Sequence, residues 1–504
     1  MSDLRISKNC ANELLLPTLL FAALGGMTWA VRGCSGFGAV NGCVFAGVTW
    51  GAAWWFIARE PGGRQTRRYA SGWIILALTA GIGLSGGRGW MQWPSFFNGH
   101  LQTDYAAGKW VPIPRIYGFL WLFIAGMPWA GIGACLLAWC GAKRPTRAWQ
   151  WVLRLACGFG ASYLGLYLFN HFPEWFLPLY KTLKAQYLDF QSNPNLRRLT
   201  NDNRAAIRHL GLYLGFLFFE VGRRDWKNVK LIVTVGVVNG LGWAACQNWQ
   251  WAARLWPEAH FNFWRCWESC GGISIGIAYG LAYYLVNRRM SEEEAAAQGQ
   301  GLANGKIGLE WLVVYLLLLL ALGLFFIPEL HWVWGAIGFA LAAAFGVAYY
   351  RVNRGKSEND GGRFPLWRED PNLERFGAYA GLLLGLGMSV RNGFKGWFNI
   401  YVGKEKYWDG VLWQVAGPLL LVALLAILAR LLWRPFPAGF QGDAFPHAYR
   451  LIWLVLVVQN LIAQLITGPH SSWPETAFSI YYVLLFSISA VIIYHFHSLK
   501  LRPG

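Results

Sequence analysis

The chain has 504 residues, of which 55% are hydrophobic, 17% aromatic and only 14% charged, with 60 Gly and 31 Trp. Charged residues supply about a quarter of an ordinary soluble chain, so this composition excludes a soluble globular protein. The wealth of aliphatic and aromatic side chains likewise excludes a disordered, collagen-like or disulfide-stapled one. A net charge of +19 would suggest nucleic acid if the basic residues gathered on one soluble face. They sit instead in short connectors between apolar runs, so no nucleic-acid partner is implied.

A helix crosses the hydrocarbon core with about 20 apolar residues, and runs of that kind recur along the whole chain. Fourteen are expected. The first eight are Leu14 to Val31, Gly38 to Ala58, Tyr69 to Gly87, Ile116 to Trp139, Trp151 to Phe169, Ala205 to Val221, Val229 to Cys246 and Gly271 to Val286. The other six are Leu309 to Ile327, Trp332 to Tyr350, Phe376 to Val390, Val411 to Ala429, Leu451 to Thr467 and Phe478 to Tyr494. Their continuity points to helices and not to the alternating strands of a barrel. The expected fold is an all-α integral membrane bundle in one polytopic domain over residues 1–504. It carries an extracytoplasmic insertion at 171–204 and cytoplasmic linkers at 288–308 and 351–375. The insertion holds an amphipathic stretch, Leu179 to Phe190, expected as an interfacial helix or lid. A shorter outer segment, Arg88 to Arg115, is rich in Trp, Pro and Gly.

Lys and Arg concentrate in alternate connectors, including Arg59 to Arg68, Lys143 to Arg154 and Arg223 to Lys230. The positive-inside bias then puts both termini in the cytoplasm, in a plasma (inner) membrane with the lipid bilayer as surroundings. The first run lacks a clear small-residue cleavage site and reads as a retained helix.

The chain also echoes itself. The eleven residues from Ala282 and those from Ala348 agree at eight positions, and Phe172-Pro173-Glu174, Trp256-Pro257-Glu258, Ile327-Pro328-Glu329 and Trp473-Pro474-Glu475 mark comparable outer ends. A hairpin unit repeated in one orientation is the expected arrangement.

Polar residues break the apolar runs at several outer ends. Trp29 and Arg32 close the first run; Arg88, Trp90 and Trp93 close the third; Trp243, Gln247 and Asn248 close the seventh; Arg391 and Asn392 close the eleventh, with Trp397 beyond. Gly in each permits close approach or unwinding. Arg offers a charged planar fork to carboxylate, sulfate or phosphate, and Trp a face for a sugar ring or cation. Convergence would give an electropositive outer vestibule in which Arg32, Arg88 and Arg391 hold the solute. Trp29, Trp90 and Trp243 wall it, and Gln247, Asn248 and Asn392 orient it. The competing reading is interfacial: Trp anchors and snorkelling Arg at helix ends.

The runs carry no Asp, Glu or Lys near their middles; Glu220, Glu268, Glu310, Asp409 and Glu475 lie near ends. A proton-driven carrier commonly uses such a carboxylate, which leaves facilitated or Na⁺-linked movement using carbonyls and the amides Asn239, Gln414, Gln459 and Asn460. The same amides read equally well as hydrogen-bonding glue between helices.

The outward residues His100, His171, His260, His331 and His470, with Asp104, Glu174, Glu258, Glu268 and Glu475, are the raw material for an enzyme. A metal site or a transferase acting on a lipid-linked substrate would need several of them to converge. No zinc-protease, nucleophile-elbow or phosphate-loop motif is present, and no cofactor or metal is implied. Among the nine Cys, Cys135, Cys140 and Cys157 read as small buried hydrophobes. Cys266 and Cys270 are the candidates for a disulfide or metal, against the reading of two ordinary thiols at a helix start.

The functional expectation is a secondary transporter or permease for a small anionic or carbohydrate-related solute. A membrane-embedded transferase acting on a lipid-linked substrate and a structural or assembly subunit are the alternatives. The basic loop Arg59-Glu60-Pro61-Gly62-Gly63-Arg64-Gln65-Thr66-Arg67-Arg68 resembles that of major facilitator transporters, without that motif's Asp and Gly spacing. Trp29-Ala30-Val31-Arg32-Gly33, with Gly86-Gly87 and Tyr117-Gly118-Phe119, resembles bacterial polytopic membrane proteins of unassigned activity. That resemblance covers about the first 140 residues and implies topology, not chemistry.

Overall fold

A computed structural model describes residues 10–32, 39–59, 67–86, 93–141, 146, 148–259, 261–291, 293–294, 382, 393–403, 420 and 473–501. Nine of the fourteen expected runs fall on described helices. After a π-helical turn at Ala11–Leu15 come α1 (Leu16–Arg32), α2 (Ala39–Ala58) and α3 (Ile74–Gly86). A short α4 (Trp93–Phe97) leads to a β-hairpin of β1 (His100–Asp104) and β2 (Lys109–Pro112). Then follow α5 (Ile116–Gly141), α6 (Ala148–His171), the short α7 (Lys184–Leu188), α8 (Pro194–Gly222), α9 (Trp226–Cys246), the short α10 (Trp249–Leu255) and α11 (Phe263–Val286). The last described helix is α12 (Trp473–Leu501). The ninth to thirteenth runs, and with them the second copy of the Ala282 repeat, lie outside the described residues.

Seven of the described helices are long and apolar enough to cross a membrane, as an all-α membrane protein requires. The α2 and α3 helices are apolar over the shorter stretches Gly42–Ala58 and Ile74–Gly86. Helices α1, α2, α3, α5, α9 and α11 pack each against the next, and α11 returns to α1, so these six close into a ring. The α6–α8 pair attaches outside through α8 on α5, and α12 leans on α1.

Glycine sets how tightly the ring closes. Gly272, Gly276 and Gly280 repeat every fourth residue down α11 and face Gly25, Phe21 and Thr18 of α1. A methyl on Gly272 would overlap both the Gly25 carbonyl and the Trp29 side chain. Outside the ring, Gly211 and Gly215 of α8 lie directly on the α6 backbone at Ala161 and Cys157. Such small-residue spacing lets backbones touch where lipid supplies no hydrophobic drive for helix association.

Indole and phenol donors then tie helix to helix. Trp50 Nε1 donates to Phe21 O at 3.0 Å, Tyr279 OH to Ala130 O at 2.9 Å and Tyr213 OH to Ile232 O at 3.0 Å. On the outside of α1, Ser269 and Tyr481 oxygens meet at 2.5 Å, and Lys500 caps the last carbonyls of α2 at Phe56, Ile57 and Arg59.

The insertion at 171–204 departs from a single interfacial helix. It folds as a 3₁₀ turn at Pro173–Trp175, the short α7, and an eleven-residue extension of α8 beyond the apolar run. Leu177, Leu183, Tyr187, Leu196 and Leu199 are buried beneath it, and Asn203 Nδ2 donates to Phe176 O at 2.7 Å. Hydrogen bonds from Ser192 hold the exposed Asp189 carboxyl below the usual carboxylate range. Phe172-Pro173-Glu174 and Trp256-Pro257-Glu258 both start 3₁₀ turns at their Pro, while Trp473-Pro474-Glu475 opens α12. Pro fixes φ at the value a helical first turn needs.

Gly272→Val should abolish a monodisperse, folded species in fluorescence-detected size exclusion. Gly160→Ala, where a methyl meets nothing within 4 Å, should leave the elution profile and melting temperature unchanged.

Candidate functional site

The two ends of the ring differ in chemistry. One end holds the α9–α11 turn and Trp243, the other Arg67 and Asn287.

At the Trp243 end an aromatic cluster fills the ring. The Trp243 ring meets Trp29 at 6.0 Å, Trp129 at 5.0 Å and Trp267 at 5.2 Å between centroids, each edge-on. Edge-to-face contact is the arrangement indole quadrupoles favour. Gly271 supplies the flat seat beneath, since a methyl there would reach within 2.5 Å of the Trp243 ring. From this hub the rings continue through Trp29 on Trp50 (5.9 Å), Trp50 on Tyr279 (5.9 Å), Tyr279 on Trp54 (6.5 Å) and Trp54 on Tyr283 (5.1 Å). The ring interior is therefore packed with aromatic side chains from one end toward the other.

Of the nine expected solute-binding residues, Trp29 and Trp243 are thus brought together, both fully buried. Gln247 lies one turn beyond Trp243, just past the end of α9. Its side chain is 0% exposed, and both its amide nitrogen and its amide oxygen are buried without a hydrogen-bond partner. Asn248 is exposed and starts α10. Arg32 is the last residue of α1; Arg88, Trp90, Arg391 and Asn392 lie outside the described residues, as does the geometry of the three guanidinium groups. Trp93 is buried against Trp121 and Trp129 and donates to Asn203 Oδ1 at 2.7 Å. Trp397 packs on Phe394 and Tyr401 in a separate segment. Of the four amides, Asn239 donates to the Gly126 carbonyl and so joins α9 to α5; Gln414, Gln459 and Asn460 lie outside the described residues.

The histidines and carboxylates expected on the outer side take separate places where they are described; His260, His331 and His470 lie outside the described residues. His100 lies against Trp110 in the β-hairpin, and Asp104 accepts from the Ala107 N–H of the hairpin turn. His171 stacks on Tyr167 at 4.0 Å, Glu174 and Glu258 are exposed, and Glu268 is buried. Among the described residues no three His, Cys, Asp or Glu side chains gather as a metal site would require.

At the Arg67 end a polar network forms that the apolar runs conceal. Arg154 of α6 donates to Glu220 of α8 through Nε at 2.9 Å and Nη2 at 2.6 Å, with side chains 1% and 0% exposed. The guanidinium is boxed by the Trp139, Trp151 and Phe219 rings at 4.6, 4.5 and 5.1 Å. Glu220 also accepts from Asn228 Nδ2 at 2.9 Å, and Asn228 accepts from Tyr69 OH at 2.6 Å. Tyr69 in turn exchanges backbone and amide hydrogen bonds with Asn287. Arg67 pairs with Glu13 and donates to Asn287 O, and Arg68 grips Asp225, the N-cap of α9. The signal in the sequence was a pair of opposite charges, Arg154 and Glu220, at the ends of two apolar runs.

No protein-family model, no curated protein and no solved structure matches the chain.

A buried pair loses more when one partner is removed than when both are replaced by apolar groups. Arg154→Met or Glu220→Leu alone should cost about 3–5 kcal/mol and lower the melting temperature sharply, while the double variant recovers most of the loss. Equal melting temperatures for the single variants and the wild type would remove the pair's structural role.

Proposed function

We propose that the chain is a permease for a small anionic or carbohydrate-related solute, bound at the Trp243 end beside Gln247. One observation carries this reading: an amide fully enclosed at the outer rim of an aromatic cluster, with neither of its polar atoms paired. A carboxamide offers two donor hydrogens and an acceptor oxygen, and each buried group left unsatisfied costs about 1–3 kcal/mol. A solute hydroxyl or carboxylate supplies the partner that the protein withholds. The indole faces of Trp29 and Trp243, covered by neighbouring rings in this structure, would suit a sugar ring once uncovered, and Arg32, Arg88 and Arg391 would add the charge that draws an anion. In this reading the Trp243 end faces outward, the Arg67 end and both termini are cytoplasmic, and the membrane is the plasma membrane. Because indoles fill the ring below Gln247, a solute leaves this site only when one wall of the ring shifts, the usual hinge or shear step of a carrier.

Full-length protein in liposomes should take up at least one radiolabelled member of a panel of hexoses, hexuronates and dicarboxylates above protein-free vesicles. Gln247→Leu should lower the initial rate about 5- to 150-fold, the loss of one or two hydrogen bonds. Uptake by the variant equal to wild type would remove Gln247 from the site, and no uptake of any member would refute this solute class.

A further inference from the structure

We propose that Cys246 and Cys270 are a disulfide-forming pair that fastens the end of α9 to the second turn of α11. The sequence singles out Cys266 and Cys270, but Cys270 has its neighbour elsewhere. Cys246 is the last residue of α9, which crosses α11 so closely one turn earlier that a methyl on Gly242 would come within 2.3 Å of the Ser274 side chain, and the next turn of each helix sets Cys246 opposite Cys270. Both thiols are half-buried, whereas Cys266 is buried. Trp249 Nε1, on the helix that bridges the gap, donates to Cys270 Sγ at 3.0 Å. An N–H aimed at sulfur favours negative charge there, which makes Cys270 the attacking thiolate.

Oxidation proceeds by exchange with a low-molecular-weight disulfide such as glutathione disulfide. The Cys270 thiolate attacks one sulfur of the oxidant, whose S–S bond breaks and releases one thiol while a mixed disulfide forms. The Cys246 thiolate then displaces the second thiol. The oxidant accepts two electrons, and the two protons end on its two released thiols. The product closes a loop containing α10 and the 3₁₀ turn Pro257–Ala259, which begins at Gln247 and ends beside Gly271, the seat of Trp243. The bond stands independently of any transported solute.

The test uses full-length protein in native membranes, treated with glutathione disulfide, blocked with N-ethylmaleimide and digested with trypsin. The expected result is a peptide spanning residues 231–254 linked to one spanning 266–288. It should vanish with dithiothreitol and in Cys246→Ser or Cys270→Ser, and persist in Cys266→Ser. Complete alkylation of Cys246 and Cys270 after the oxidant would overturn the proposal. So would a link that survives in Cys270→Ser through Cys266.

Discussion

Contact between the backbones of α1 and α11 at Gly25 and Gly272 is the constraint on which the remaining architecture depends. Lipid tails are as apolar as leucine, so burying aliphatic side chains between two membrane helices gains little. What gains is dense van der Waals contact, and only residues without a Cβ bring backbones that near. With α1 and α11 fixed at one separation, the six-helix ring has one interior width. Trp29, Trp50, Trp129, Trp243 and Trp267 fill it at 0–3% exposure. The abundance of Gly and of Trp in this chain is one fact: small residues at the helix crossings create a space that large flat ones occupy.

A crowded aromatic interior raises a second problem, since each indole and phenol brings a polar hydrogen into a medium without water. The solution visible at Trp50, Tyr279 and Tyr213 is donation to carbonyls on a neighbouring helix. Those carbonyls already accept from their own helix and have a second lone pair to offer. Each such bond also fixes the axial position of one helix against another, which van der Waals packing along a smooth glycine face does not. Register in the ring therefore comes from the aromatic donors, and proximity from the glycines.

Most of the described helical framework was legible because apolar length is what a bilayer demands. The runs ending at Ala58, Cys246 and Val286 end at those residues in the structure. Less legible was whatever depends on partners far apart in sequence. Arg154 and Glu220 sit 66 residues apart, and each alone reads as a charge at the end of a run; only packing of α6 on α8 turns them into one buried pair. Cys266 and Cys270 drew notice because they are close in sequence, yet four residues along a helix is a weaker guide than the turn that folds Cys246 back onto Cys270. The β1–β2 hairpin was hidden for a different reason. Its five- and four-residue strands are too short to show a period against a background of Trp, Pro and Gly. At the candidate site, the meeting of Trp29 and Trp243 was foreshadowed by matching helix ends, but full burial of both rings was not, because interfacial and interior Trp share one sequence pattern.

The polar groups are distributed unequally between the ends of the ring, and this difference bears on where the molecule can change shape. At the Arg67 end, Glu13, Arg67, Asn287, Tyr69, Asn228, Glu220 and Arg154 form a continuous chain of hydrogen bonds across the π-helical turn, the α2–α3 connector, α11, α9, α8 and α6. Separating any two of these elements strands a charge or an amide in a dry interior, so the network resists opening as a unit. At the Trp243 end ring meets ring, glycine backbone meets glycine backbone at Gly25 and Gly272, Ser269 donates to the Gly26 carbonyl, and Gln247 makes no hydrogen bond. The two ends are thus held by different forces, charge-assisted hydrogen bonds at one and dense backbone and ring contact at the other. The unsatisfied amide of Gln247 lies at the second of these ends, where no charged group reaches it from the network at the first.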